Sequence, residues 1–275
     1  MIRVGTRGSA LALAQAEWVG SRLGVEYELV KIDAAGPLGD KSRWVSELER
    51  ALLDGDIDVA VHSAKDVPAE LADGLSLVAI PAREDPRDAI CGAASLGDLA
   101  GGARVGTSSL RRAAQILATR DDLEVVDVRG NVDTRLRKLA EGQFDALVLA
   151  AAGLHRLGLR PDGVLDELVP AAGQGALALE ARPGRVEVAA LTDPGATACV
   201  LAERALTRAL GASCNTPVGA FARVVEGGGE VELTGWVGRA DGSAWVRDVL
   251  RGPAAEVGGA VAERLLAVGA AELLS

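Results

Sequence analysis

With a net charge of −10 over 275 residues, the chain is too acidic for a long phosphate backbone to be its main partner. Its residues are 49% apolar but only 3% aromatic, so its cores must be built from Leu, Val and Ala, and the length allows two or three of them. Three cysteines at unrelated positions (Cys91, Cys199, Cys214) and two histidines (His62, His155) make neither a disulfide framework nor a zinc motif, so no metal site is expected. There is no run of 18 uncharged apolar residues, and the sequence starts directly on a strand pattern, so the expectation is a soluble protein of the cytoplasm.

The charge is unevenly spread. Between Arg104 and Lys138 there are eight basic residues and five acidic ones, a local net of +3. A basic patch on an acidic chain suits a small polyanion better than a nucleic acid.

In chain order, residues 2–6 read as a short buried strand, and Ser9 caps a predicted helix running to about Leu23. Residues 27–32 alternate as a strand. A loop rich in helix breakers follows from Gly36 to Arg43, and residues 44–53 have helical spacing. The apolar run 58–61 leads straight into His62-Ser63-Ala64-Lys65-Asp66-Val67-Pro68. The pattern then repeats: Val105-Gly106-Thr107-Ser108-Ser109-Leu110 echoes Val4-Gly5-Thr6-Arg7-Gly8-Ser9, and a strand at 124–128, a helix at 132–140 and a strand at 145–150 complete a second lobe. Strands alternating with helices predict two α/β lobes with mostly parallel sheets and a cleft between them. The strand predicted at 177–180 comes late enough to return to the first sheet. After a helix over 194–210 the period changes to two. Three antiparallel strands are predicted at 220–225, 231–237 and 244–250, joined at Gly227-Gly228-Gly229 and at Asp241-Gly242, and a closing amphipathic helix at 254–274. The expected domains are 1–82 plus 176–194, 83–175, and 195–275.

Three groups of residues carry chemistry. Between the predicted helix and the first of those strands lies Gly211-Ala212-Ser213-Cys214-Asn215-Thr216-Pro217-Val218-Gly219, where Pro217 stops the helix and small neighbours leave the thiol displayed. A free cysteine in a surface turn is the plainer reading of that loop. Asp66 follows a strand end, where a carboxylate is placed to stabilise a cation or move a proton; a turn-forming aspartate before Val67-Pro68 is its plainer reading. The third group is Arg7, Arg111, Arg112, Arg129, Arg135 and Arg156, of which Arg111 and Arg112 directly follow an N-cap. Planar guanidiniums beside unpaired helix-start amides hold carboxylates well.

Taken together, Thr6-Arg7-Gly8-Ser9-Ala10-Leu11-Ala12-Leu13, the 62–68 stretch, Val105 to Arg112, Arg129-Gly130-Asn131-Val132, Gly173-Gln174-Gly175 and the Cys214 loop resemble the hydroxymethylbilane synthase family, also called porphobilinogen deaminases, over essentially the whole chain. Each motif is weak alone; six in order are specific. The resemblance implies two lobes like type II periplasmic binding proteins plus a small C-terminal α+β domain. It also implies a dipyrromethane cofactor joined to Cys214 by a thioether, which primes the addition of four porphobilinogen units with loss of ammonia. By the same carry-over, Asp66 stabilises the azafulvenium cation left when ammonia departs. Arg7, Ser9, Arg129, Arg156 and Gln174 meet incoming substrate, while Lys65, Ser109, Arg111, Arg112 and Arg135 hold cofactor carboxylates. A cytoplasmic monomer with no nucleic-acid or membrane partner is expected. The sequence departs from the family pattern at Gly39-Asp40-Lys41-Ser42-Arg43-Trp44, where Gly-Gly-Lys-Gly-aliphatic-Phe is common, at Ser46 in place of a lysine, and at Gly8 in place of a longer polar residue. Trp44 is read either as a stacking face or as the first core residue of its helix. The competing reading is a noncatalytic two-lobed binder of small anions, which needs neither the displayed thiol nor a third domain. A cysteine hydrolase would need a histidine base near the thiol.

Overall fold

A computed structural model describes residues 1–32, 41–68, 70–213, 215–226 and 229–274, with the side chains of 41–44 excepted. The chain opens with β1 (Ile2–Thr6), α1 (Ala10–Gly20), β2 (Tyr27–Lys31), α2 (Lys41–Asp54), β3 (Val59–Ser63) and β4 (Ser76–Ala79). It continues through β5 (Asp88–Cys91), β6 (Arg104–Gly106), α3 (Leu110–Thr119), β7 (Glu124–Val126), α4 (Val132–Ala140), β8 (Ala146–Ala150), α5 (Ala151–Arg156) and β9 (Gly163–Leu165). Next come β10 (Leu177–Ala181), α6 (Val186–Ala189) and α7 (Pro194–Ala209). The last part is β11 (Val218–Val224), β12 (Glu230–Gly238), β13 (Trp245–Pro253), α8 (Val257–Ala267) and α9 (Ala270–Leu273).

Two five-stranded sheets share one plan. The first has the order β2-β1-β3-β10-β4 and the second β7-β6-β8-β5-β9. In each, three parallel strands come first, and then one antiparallel strand separates the third parallel strand from the sheet's last strand; in the first sheet it is β10, from far along the chain, and in the second it is β5, which directly precedes β6. Strands such as β8 (ALVLA) and β10 (LALEA) are buried almost throughout, as apolar runs covered on both faces must be. The late strand β10 does join the first sheet. The chain accordingly divides into two compact units, Met1–Glu84 with Gly175–Thr197, and Asp85–Gln174 with Ala198–Ser275.

The second unit also contains the antiparallel sheet β11-β12-β13. Its inner face packs with α7 and α8 around Leu206, Leu233, Val237, Val261 and Leu265. The single closing helix expected over 254–274 is corrected here. Strand β13 runs on to Pro253, and the helix breaks into α8 and α9 at Gly269, whose φ of 96° only glycine adopts readily. Strands β4, β5 and β9, of three or four residues each, were not predicted.

Candidate active site

In the first unit, β1 and β3 are parallel neighbours, so the residues just past their carboxyl ends lie along one edge of the sheet. That edge carries Arg7 and Ser9 after β1, and Lys65 and Asp66 in the single 3₁₀ turn after β3. Ser9 is a true N-cap: its Oγ accepts from the Ala12 amide at 3.3 Å, and Thr6 Oγ1 donates to the Ala12 carbonyl at 3.0 Å. The Gln15 carboxamide donates to Ser63 Oγ at 3.0 Å, which ties α1 to the strand that leads into Asp66. Arg7 is half-buried; burial draws its pKa down and the nearby negative charge of Asp66 opposes that, so the two groups feel each other. His62 lies one strand position too deep to serve this edge. It is buried, with Nε2 2.9 Å from a carboxylate oxygen of the fully buried Glu180 on β10.

The second unit repeats the design with more charge. Ser109 caps α3, accepting from the Arg112 amide at 3.4 Å, and Arg111 and Arg112 follow at once. Both guanidiniums turn inward onto Asp88, the first residue of β5, which is fully buried. Arg111 holds the carboxylate with two bonds of 2.7 and 3.1 Å, and Arg112 Nε donates to it at 2.7 Å. The Gln174 carboxamide completes the group: Nε2 donates to Asp88 at 2.9 Å and to the Pro86 carbonyl at 2.8 Å, while Oε1 accepts from Arg112 at 3.3 Å. Gly173 and Gly175 flank Gln174 with φ of 72° and 87°, so glycines on both sides let the backbone present that side chain inward. Burial alone would raise the Asp88 pKa, but the charges of Arg111 and Arg112 and their hydrogen bonds outweigh it and hold the carboxyl well below the usual range. Burial pulls the Arg112 pKa down, an effect Asp88 resists. Two guanidiniums against one carboxylate leave the cluster with a net positive charge. Arg111 Nε is buried and has no hydrogen-bond partner among the described residues.

Of the other expected site residues, Arg135 on α4 stands near enough to Arg112 to feel its charge. Its pKa is lowered first by burial and then by that neighbour, and its Nε donates to the Gly130 carbonyl at 2.7 Å. Arg129 is exposed and bonded to Asp127 at 3.0 Å. Arg156 ends α5, which follows directly from β8. Cys214 lies outside the described residues, as do residues 36–40 of the loop over the expected cleft and the side chain of Trp44. On either side of position 214, Ser213 and Thr216 are joined: the Ser213 amide donates to Thr216 Oγ1 at 2.9 Å, and that hydroxyl donates to the Ser213 carbonyl at 2.6 Å. The sequence reading missed Asp88. Its only sequence signal is an acid directly preceding the apolar run Ala89-Ile90-Cys91.

These features define a class: an α/β protein with two like sheets whose strand ends lead into serine-capped helices, one of them backed by a net-positive arginine cluster suited to small carboxylated ligands. Residues 2–190 match the family model described as "Porphobilinogen deaminase, dipyromethane cofactor binding domain", and residues 197–267 match "Porphobilinogen deaminase, C-terminal domain". The chain is similar to the porphobilinogen deaminases of Geobacter sulfurreducens (46% identical, covering 100% of this chain and 94% of that one) and Thiobacillus denitrificans (47%, 99% and 97%). It is likewise similar to that of Deinococcus deserti (45%, 99% and 97%). The chain belongs to the porphobilinogen deaminase family. Among solved structures it is similar to the methionine binding protein MetQ (18% identical, 69% of this chain and 89% of that one, TM-score 0.43). It is also similar to the periplasmic VFT2 domain of Bordetella pertussis BvgS (20%, 69% and 84%, TM-score 0.39). The lobe plan itself rests on the strand orders given above.

Proposed function

We propose that the chain catalyses the hydroxymethylbilane synthase reaction: four porphobilinogen molecules are joined in turn, each losing ammonia, and the linear tetrapyrrole is released by water. The observation that carries this reading is that the porphobilinogen deaminase models span the chain while Asp66, the arginine motifs and Cys214 all stand in it. The noncatalytic binder is not favoured, since it leaves the matched C-terminal domain and Cys214 unused. The expected three domains (1–82 plus 176–194, 83–175, 195–275) remain our division of the chain, with the last one carrying Cys214.

The residues suit dipyrromethane. It is a polyanion, because each pyrrole bears an acetate and a propionate. The cluster around Asp88 offers the excess positive charge and the buried, unsatisfied Arg111 Nε–H that such carboxylates would meet. Lys65, Ser109, Arg111, Arg112 and Arg135 would hold it, with Cys214 as the covalent attachment. When bound, it supplies the terminal pyrrole carbon to which the first porphobilinogen is joined.

Arg7, Ser9, Arg129, Arg156 and Gln174 receive the carboxylates of incoming porphobilinogen. The strand-edge position and half-buried state of Asp66 suit it to stabilise positive charge. When the aminomethyl C–N bond of porphobilinogen breaks and ammonia leaves, a cation conjugated with the pyrrole nitrogen remains. A carboxylate accepting that N–H favours it. Joining that carbon to the next pyrrole forms one C–C bond and expels one proton, which Asp66 is placed to accept. Arg7 lies close enough to Asp66 for the two charges to act on each other. Among the described residues no helix is long and apolar enough to cross a membrane. A cytoplasmic monomer free of nucleic acid and membrane is part of the proposal.

The test is intact mass before and after incubation with porphobilinogen. The expected result is a starting mass carrying two linked pyrroles on the Cys214 peptide and then steps of one pyrrole each. An unmodified mass in both samples would overturn the reading, and covalently pyrrole-loaded, active Cys214→Ser protein would overturn Cys214 as the attachment point.

A further inference from the structure

The segment 168–174 is held along both sides by groups that belong to different parts of the second unit. On one side α3 grips it. Gln115 is buried and accepts from the Val169 amide at 2.7 Å while donating to the Val169 carbonyl at 3.0 Å, and Arg111 adds a 2.8 Å bond to the same carbonyl. On the other side are β11 and α7. The Ala220 amide donates to the Pro170 carbonyl at 2.8 Å. Glu203 of α7 spans the remainder: one oxygen accepts from the Gly173 amide at 2.7 Å, the other from the Ala222 amide at 2.7 Å. Strand β11 is an edge strand, so these are amides that its sheet does not use.

Glu203 is fully buried beside the apolar core of the C-terminal sheet, where an ionised carboxylate is costly unless its oxygens are satisfied. A leucine on α7 would serve packing better. What a carboxylate does that no apolar residue can is accept two N–H groups from two separate segments. One of those amides is directly before Gln174, whose side chain bonds Asp88 and Arg112. The other is on the strand that begins at Val218, four residues after Cys214 in sequence. We infer that Glu203 is a positioning residue for the reaction, locking β11, the strand that follows Cys214 in sequence, to the segment that presents Gln174 to Asp88 and Arg112. The inference rests on the proposed function and names a further residue for it. Glutamine at this position has one acceptor oxygen, so it can keep one bond and must turn its NH₂ toward the other amide.

The experiment uses the holoenzyme and Glu203→Gln. The expected result is a folded protein that still carries covalent dipyrromethane by intact mass, with kcat lowered about 100-fold and KM within about threefold, the signature of misplaced reacting groups rather than lost binding. The Gly173 and Ala222 amides should also exchange faster with deuterium. A wild-type kcat in the variant, with both amides deprotected, overturns the role of Glu203 and leaves the function intact. A wild-type protein that gains no mass with porphobilinogen overturns the function itself. Should the variant not fold, exchange in the wild type decides the matter. Amides locked by one carboxylate share one opening rate and gain protection together when porphobilinogen is added, whereas independent opening of Gly173 and Ala222 refutes the coupling.

Discussion

Asp88 shows how far a single buried charge can organise its surroundings. It accepts hydrogen bonds from three side chains, two of them adjacent on α3 and the third from the Gly173-Gln174-Gly175 motif. Asp88→Ala leaves two buried guanidiniums facing no counter-charge. We expect a loss of about 3–5 kcal/mol, read from urea denaturation midpoints. The folded carboxyl is held below its ordinary range, so its contribution is complete above the unfolded pKa of about 4 and is lost as pH falls from there toward the folded value. The stability difference between wild type and Asp88→Asn should therefore shrink on acidification from pH 5 to pH 2; a constant gap would mean that the ion pair does not carry the effect. Asp66 is the contrasting case, a half-buried acid at a strand edge. Asp66→Ala should retain covalent pyrrole by mass yet lose nearly all turnover, and near-normal rates would remove it from the chemistry.

Among the elements, α3 and α8 show opposite uses of contact. Helix α3 sends the side chains of Arg111 and Arg112 from its first turn onto Asp88. Its far side is clamped by the β12–β13 hairpin: Trp236 packs against Ala114 and Val169, and Gly242 closely approaches the backbone at Leu117 and Ala118. The arginine pair is thus set on a helix supported from behind by the C-terminal sheet, a relation that no local pattern in residues 104–119 announces. Helix α8 carries two adjacent glycines with different surroundings. A Cβ on Gly258 would lie 2.5 Å from the Ala202 carbonyl oxygen and 2.7 Å from Ala205 Cβ, whereas a Cβ on Gly259 meets open space. Gly258→Ala should cost about 1–3 kcal/mol by forcing α8 off α7. Gly259→Ala should be neutral or stabilising by up to about 1 kcal/mol, since alanine is the better helix former. Thermal melts of the two variants side by side check this, and equal shifts would count against the close approach.

At the scale of the molecule, the exchange of strands between distant parts of the chain matters most. The first sheet is incomplete until residues 177–181 arrive to lie between β3 and β4. A chain ending at Gln174 keeps all of β1 to β4 but leaves β3 and β4 without their shared partner and exposes an apolar edge. Such a truncation should lack slow amide exchange in residues 59–63, whereas the full chain should show it. Protection of that strand in the truncated protein would show that the first unit closes without β10. The two sheets are alike enough for the repeat to be read directly, since Thr6 to Ser9 and Thr107 to Ser109 occupy equivalent strand-to-helix junctions and both serines cap as the spacing suggests.

What the sequence determined by itself were the features written in local periods and in short motifs. These were the two α/β repeats, the serine caps, the glycines around Gln174, the change to period two near Val218, and the family membership that its ordered motifs imply. Strand propensity, capping and turn chemistry act over a few residues, and a sequence displays them openly. Only the tertiary structure decided that Arg111 and Arg112 turn inward onto Asp88, that Gln115 and Glu203 grip the segment before Gln174, and that His62 pairs with Glu180 in a sheet interior. Each of those contacts joins residues that lie between 19 and 118 positions apart, apart from the adjacent members of a motif. A buried charge is tolerated only where the fold supplies its partner, and that partner is fixed by the packing of sheets and helices rather than by anything adjacent in the chain.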